Sequence, residues 1–207
     1  MITVASEKLA VRLCKYIDRS TDVDYLRYGI EIIIRGTIKF LALLTTAYIL
    51  GVIYPMIFVF FTFVFFRFLT GGHHYSTYIR CLTVGLIMIV GISYVVNIIG
   101  DMIDTGTLIV LLISSTLFGI ILIYKYAPSN HFYKKFTTLQ KKKLKQYAIA
   151  TVVIWSILLH VLIFGSFSTE PILASILGFI FQIGSIHPFS YLVVNKIERL
   201  IERRRTQ

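Results

Sequence analysis

Long apolar runs alternate with short polar breaks along this chain, and the runs carry almost no charge. From Phe40 to Phe66 there is no Asp, Glu, Lys or Arg. One helix over that stretch would be roughly 40 Å long at about 1.5 Å per residue, more than the roughly 30 Å of bilayer hydrocarbon. Gly51 and Pro55 divide it. The pattern therefore predicts a helix from about Tyr28 to Leu50, with Glu31, Arg35 and Lys39 near its start, and a second from about Tyr54 to Phe68. Further runs at about Cys81–Ile99, Thr107–Tyr124, Tyr147–Gly165 and Pro171–Val194 each have the length of a spanning helix. The expected fold is all-α: a polytopic integral membrane bundle of about six transmembrane helices.

Residues 1–20 show a different pattern. Ile2, Ala5, Leu9, Leu13, Tyr16 and Ile17 recur at helical spacing, with Lys8, Arg12, Lys15 and Arg19 mainly elsewhere. This suits an amphipathic helix lying in the inner interface, drawn to anionic lipid. A short juxtamembrane helix packed on the bundle accounts for the pattern equally well. Cys14 lies close to the apolar face and reads as a small buried hydrophobe. The charges spread through this segment leave no continuous apolar core of the kind a cleaved signal has.

Composition supports the membrane reading. Of the 207 residues, 57% are hydrophobic and only 15% charged, whereas soluble domains run nearer half apolar and a quarter charged. A chain this size has too little interior to hide the excess, and no long polar stretch is left for a second module. The expectation is a single membrane domain over residues 1–207. The net charge of +11 does not point to nucleic acid, because no soluble folded module carries it.

The charge has a side. All 21 Lys and Arg residues fall in the N-terminal segment, the 66–81 break, residues 125–146, the tail from Asn195, or the adjoining helix ends. The opposite loops hold only Asp101, Asp104 and Glu170. The positive-inside rule places the basic side, with both termini, in the cytoplasm. There Cys14 and Cys81 are expected to stay reduced. The run "YKKFTTLQKKKLKQY" holds Lys134, Lys135, Lys141, Lys142, Lys143 and Lys145 with no acid. It serves topology and lipid binding, or it draws an acidic peptide tail, with Lys141, Lys142 and Lys143 as the candidate contacts.

The chemistry concentrates in "FRFLTGGHHYSTYIRC", Phe66 to Cys81. Cys81 begins a span, and a helix N-terminus beside Arg80 favours a thiolate, the form that acts as nucleophile. His73 and His74 lie upstream as candidate bases. His74 and Cys81 are seven residues apart, which on a straight helix separates them by about 10 Å. A thiol–imidazole contact needs about 3 Å. The pair therefore requires a break, and Gly71-Gly72 is the residue pair that makes one. Without such a break the histidines face water and the cysteine packs. His73, His74 and Cys81 as metal ligands lack a fourth partner and the usual i, i+4 spacing, so no metal or other cofactor is expected.

These residues, as "RFLTGGHHYSTYIRC", resemble the AgrB family of membrane endopeptidases that process quorum-sensing propeptides. The family's arginine, second glycine, histidine and cysteine match Arg67, Gly72, His74 and Cys81, and both the Arg-to-His and His-to-Cys intervals fit. Length, multiple spans, an amphipathic N-terminal segment and a Lys-rich central loop are similar too. The resemblance implies a cysteine endopeptidase with Cys81 and His74 as its dyad, acting on an AgrD-like precursor peptide. It also implies a Cys81 thioester intermediate resolved by cyclisation to a thiolactone or lactone, and a homodimer. Arg67 then has two candidate roles: stabilising oxyanion charge, or pairing with a substrate or protein carboxylate. Glu31 orients His74 or pairs with Arg35 at i, i+4. Phe65, Phe66, Phe68 and Tyr75 wall the site against water or, especially Phe65 and Phe66, pack in the core or against lipid.

Asn97, His160, Gln182 and His187 are polar groups inside proposed spans, where such groups make interhelical hydrogen bonds. His187-Pro188 kinks the last span. Ala174 and Gly178 form a small-xxx-small pair for close packing, within a subunit or between two. A small peptide exporter whose polar residues line a path, and a non-enzymatic membrane scaffold, are the readings from other classes.

Overall fold

The computed structural model describes residues 2–17, 23–73, 75–129 and 137–203. These form eight α-helices and one short 3-10 turn, with no strand among the described residues. The helices are α1 (Ile2–Ile17), α2 (Val23–Ile49), α3 (Ile53–Thr70), α4 (Tyr78–Ile99), α5 (Thr105–Tyr126), α6 (Thr138–Phe164), α7 (Thr169–Gly184) and α8 (Pro188–Arg203). Five of them are long and apolar enough to cross a membrane, and a sixth span is made if α7 and α8 count as one bent pair. Large apolar side chains point outward along these helices, among them Ile33, Phe68, Val110 and Ile154. In water such continuous exposure would drive aggregation. Facing lipid it costs nothing, and this is a multi-pass membrane protein.

The chain divides into two compact units, one up to Thr46 and one from Ala47 onward. In the first unit α1 buries Ser6, Ala10 and Cys14, and leaves Val4, Leu9 and Leu13 exposed. The buried face is thus the small-residue stripe, not the Leu stripe that the sequence pattern singles out. Lipid tails are as apolar as leucine, so small residues, which permit close approach, take the packed side. In α2, Glu31 forms an ion pair with Arg35 and accepts a hydrogen bond from Thr3 Oγ1 at 3.3 Å.

In the second unit, α7 is the central helix and packs most extensively on α3. Gly178 permits this: a Cβ there would sit 2.7 Å from the Val59 carbonyl oxygen. The small-xxx-small pair therefore works within one subunit. Above it, Phe66 packs edge-on against Phe179 and Trp155, with centroids 4.6 and 5.5 Å away. Phe66 is fully buried in this core, while Phe65 and Phe68 point outward. Of the four aromatics proposed as a wall, only Tyr75 stays near the break.

Two boundaries differ from the periodicity. Helix α6 begins at Thr138, about two turns before the expected start, because Thr137 and Gln140 form a reciprocal capping box. Lys141, Lys142 and Lys143 therefore stand on a helix, exposed, and not in a loop. Lys134 and Lys135 lie outside the described residues. The last span is broken, with α7 and α8 meeting at 74°. Pro188 opens α8 without an N–H to satisfy, and His187 Nδ1 accepts the N–H of Phe189 at 3.1 Å.

Candidate active site

Helix α3 ends at Thr70, where the N–H of Gly71 closes on the Arg67 carbonyl at 2.9 Å. Gly71 then takes φ +74° and Gly72 φ +147°, backbone that favours glycine. Gly72 is also needed for space, since a Cβ would lie 2.6 Å from Ser185 Oγ and 2.9 Å from Arg67 Nη1. No helix runs from Gly71 to Thr77 among the described residues. The straight helix that would hold residues 74 and 81 apart is absent. Thr77 caps α4, accepting from the Arg80 N–H at 3.4 Å, and the Cys81 N–H bonds to the Thr77 carbonyl at 3.1 Å. Cys81 is thus in the first turn of α4 and half-buried. His74 lies outside the described residues.

Arg67 stands in the last turn of α3 and points back over the break. Its Nη2 donates to the His73 carbonyl at 2.5 Å and its Nη1 to Gln182 Oε1 at 3.4 Å, with the Phe63 ring 5.4 Å from the guanidinium. These partners are all neutral, and no described carboxylate pairs with it. Ionised, Cys81 and Tyr191 are close enough for their charge to act on the Arg67 guanidinium. An uncompensated guanidinium near a thiol is an anion site in waiting. Glu31, in the first unit, is paired with Arg35.

His73 is engaged on both of its polar sides. Its carbonyl holds Arg67, and its Nδ1 lies 3.1 Å from the Ser185 carbonyl. A carbonyl only accepts, so Nδ1 carries the proton. Tyr75 and Tyr191 flank the ring edge-on at 5.7 and 5.8 Å. Burial pushes the His73 pKa below the usual histidine range, against the hydrogen bond to Ser185 and with help from the Arg67 charge. Tyr75 is pushed the other way, by burial first and then by Cys81 and Glu198, so it stays protonated.

Arg80, next to Cys81 in the sequence, has further partners on the break and on α8. Its Nη1 donates to Ser76 Oγ at 2.9 Å and lies 3.5 Å from Glu198 Oε1 of α8. Glu198 also accepts the Ser76 N–H at 2.6 Å. Helix α8 is thereby tied to Ser76 in the break and to Arg80 at the start of α4. Tyr191, Ser185 and Glu198 had no signal in the sequence, and Gln182 had only that of a polar group in a span. All four sit beside the break because α7 ends and α8 turns there.

A family model described as Accessory gene regulator B, AgrB, matches residues 6–186. The chain belongs to the AgrB family. No curated protein and no solved structure matches it. The AgrB match takes in the break, Arg67, Cys81 and Gln182, and stops at the junction of α7 with α8. Family and apolar helices together make this AgrB chain a multi-pass membrane protein of the quorum-sensing kind.

Proposed function

We propose that this AgrB chain is a membrane-embedded cysteine endopeptidase that cuts an AgrD-like propeptide on the C-terminal side of its core. His74 takes the Cys81 thiol proton and the thiolate adds to the scissile carbonyl. Arg67, the nearby cation with neutral partners, stabilises the developing oxyanion. Collapse breaks the C–N bond, His74 returns its proton to the departing amine, and the core stays on Cys81 as a thioester. A thiol or hydroxyl within the core then attacks that thioester. The ring closes as a thiolactone or lactone and the Cys81 thiol is regenerated.

The observation that carries this reading is the placement of Cys81 in the first turn of α4, across from Arg67 over the break that opens with Gly71 and Gly72, no described residue of that break being helical. In our reading the break lies on the cytoplasmic side of a single membrane domain with both termini inside. Lys141, Lys142 and Lys143 at the start of α6 draw the acidic tail, and two copies work as a homodimer. The N-terminal helix rests on membrane lipids.

Co-expression with candidate precursor peptides, followed by mass spectrometry, tests this. The wild type yields the cut product, whereas Cys81→Ala and His74→Ala do not, and a peptide adduct is trapped on Cys81. A cut product from either variant overturns the dyad. Uncut peptide delivered outside the cell by Cys81→Ala would favour an exporter instead.

A further inference from the structure

Gln182 is a fully buried amide in the last turn of the apolar helix α7, and both its nitrogen and its oxygen are hydrogen-bonded. Its Nε2 donates to the Gly71 carbonyl at 2.6 Å and to Thr70 Oγ1 at 3.0 Å. Its Oε1 accepts from Arg67 Nη1 at 3.4 Å, and Ser185 Oγ, also 3.4 Å from Oε1, donates its one proton chiefly to the Gln182 backbone carbonyl at 2.7 Å. An amide offers two donors and two acceptor lone pairs, and here both donors and at least one acceptor position are used. Burying an amide among apolar side chains is costly unless it is bonded in this way, and polar groups inside a bilayer tend to serve function.

The partners are the telling part. Gln182 does not merely hold one helix to another. It grips the first glycine of the break and the guanidinium beside the nucleophile with the same planar group. The distance and angle between the two are then set by one rigid amide. Ser185, one turn on, reaches the same loop through its carbonyl and His73, so the end of α7 forms a two-point brace.

We propose that Gln182 is a positioning residue for catalysis: it aims Arg67 at the Cys81 thiolate and the oxyanion, and it fixes the exit of α3 at Gly71. This rests on the reading of Arg67 and Cys81 given above. Removing the amide leaves the span apolar and inserted, but lets Arg67 turn away. A misplacement of about 1 Å can cost about 10²-fold in rate, and a loss of that order in cleavage is expected for Gln182→Leu.

The test uses the full chain in lipid vesicles with Cys14→Ala, so that Cys81 is the one thiol. The rate of Cys81 alkylation by iodoacetamide is followed against pH, beside peptide cleavage and thermal stability. The described titratable groups around the thiol are Arg67, His73, Tyr75, Tyr191, and Arg80 with Glu198 and Glu202; these, and His74 as the proposed base, are kept the same except where varied. Arg67→Leu is expected to move the alkylation profile to higher pH, and Gln182→Leu to move it the same way by less. Gln182→Glu, isosteric and negative, is expected to move it at least as far as Gln182→Leu, and it serves if the leucine variant fails to insert. A profile that moves for Arg67→Leu but not for either Gln182 variant overturns this inference alone. A profile that does not move for Arg67→Leu overturns the Arg67 reading and this inference with it. Loss of thermal stability without any change of profile makes Gln182 a structural brace and nothing more.

Discussion

The two halves of the seam between α3 and α7 are held by different forces. In the lower half Gly178 lies against the backbone at Val59, and Phe66 fits between Phe179 and Trp155. The polar atoms there are satisfied locally. Ser175 Oγ shares a 2.9 Å hydrogen bond with Thr62 and accepts from Trp155 Nε1 at 3.1 Å. In the upper half Gln182 binds Arg67, Thr70 and Gly71, and a charge is held on neutral dipoles. The lower half serves cohesion, for which close packing is enough in lipid. The upper half gives up packing to place a cation and a bend. The difference separates stability from geometry along one helix pair, and mutations in the two halves should fail differently.

The largest effect is expected from Gly72→Ala. The added carbon meets Ser185 Oγ and Arg67 Nη1 on a backbone with φ +147°. Cleavage should fall by about 10²-fold or more through misplacement, while the amount of membrane-inserted protein stays near wild type. Full cleavage by this variant would end the claim that the upper half governs geometry. Gly178→Val comes next and should fail the other way. Forcing a side chain against the Val59 carbonyl costs about 1–3 kcal/mol, read as a lower melting temperature. Activity per folded molecule should hold.

Acidification should find the upper half before the lower. The His73 pKa is lowered from 6.5 in the fold, so the unfolded chain binds that proton more readily than the folded one. Its share of stability is present above about 6.5, the ordinary value for a histidine, and is lost as pH falls below it. Cleavage by the wild type should decline on the acid side, and part of that decline should disappear in His73→Gln. An identical acid limb in the variant would assign the decline to His74 alone. The smallest effect is expected from Ser175→Ala. The lost hydrogen bonds cost about 0.5–1.5 kcal/mol, measurable as a modest loss of thermal stability with unchanged cleavage.

Most spans were legible because apolar length is a direct signature of a bilayer. The break was legible because two adjacent glycines between spans have few other uses. The start of α6 was misread because a lysine run looks like a loop, although the capping pair Thr137 and Gln140 was there to be read. The packed face of α1 was misread because large apolar residues seek the core in water but not in lipid. Gln182 was visible as a polar group in a span, yet nothing in one dimension says that α7 brings it to Gly71. Arg80 was read by adjacency to Cys81, and nothing in one dimension says that the fold also pairs it with Glu198 on α8, more than a hundred residues away.

The early start of α6 changes what its lysines are. On a loop, Lys141, Lys142 and Lys143 would each have to be ordered when an anion arrives, at about 0.5–1.5 kcal/mol per immobilised side chain and more for the backbone. Carried on a capped helix, their backbone is already ordered, and they fan around it about 100° apart with a rise of about 1.5 Å per residue. Whatever anion approaches, lipid phosphate or peptide carboxylate, meets charges whose spacing folding has set in advance.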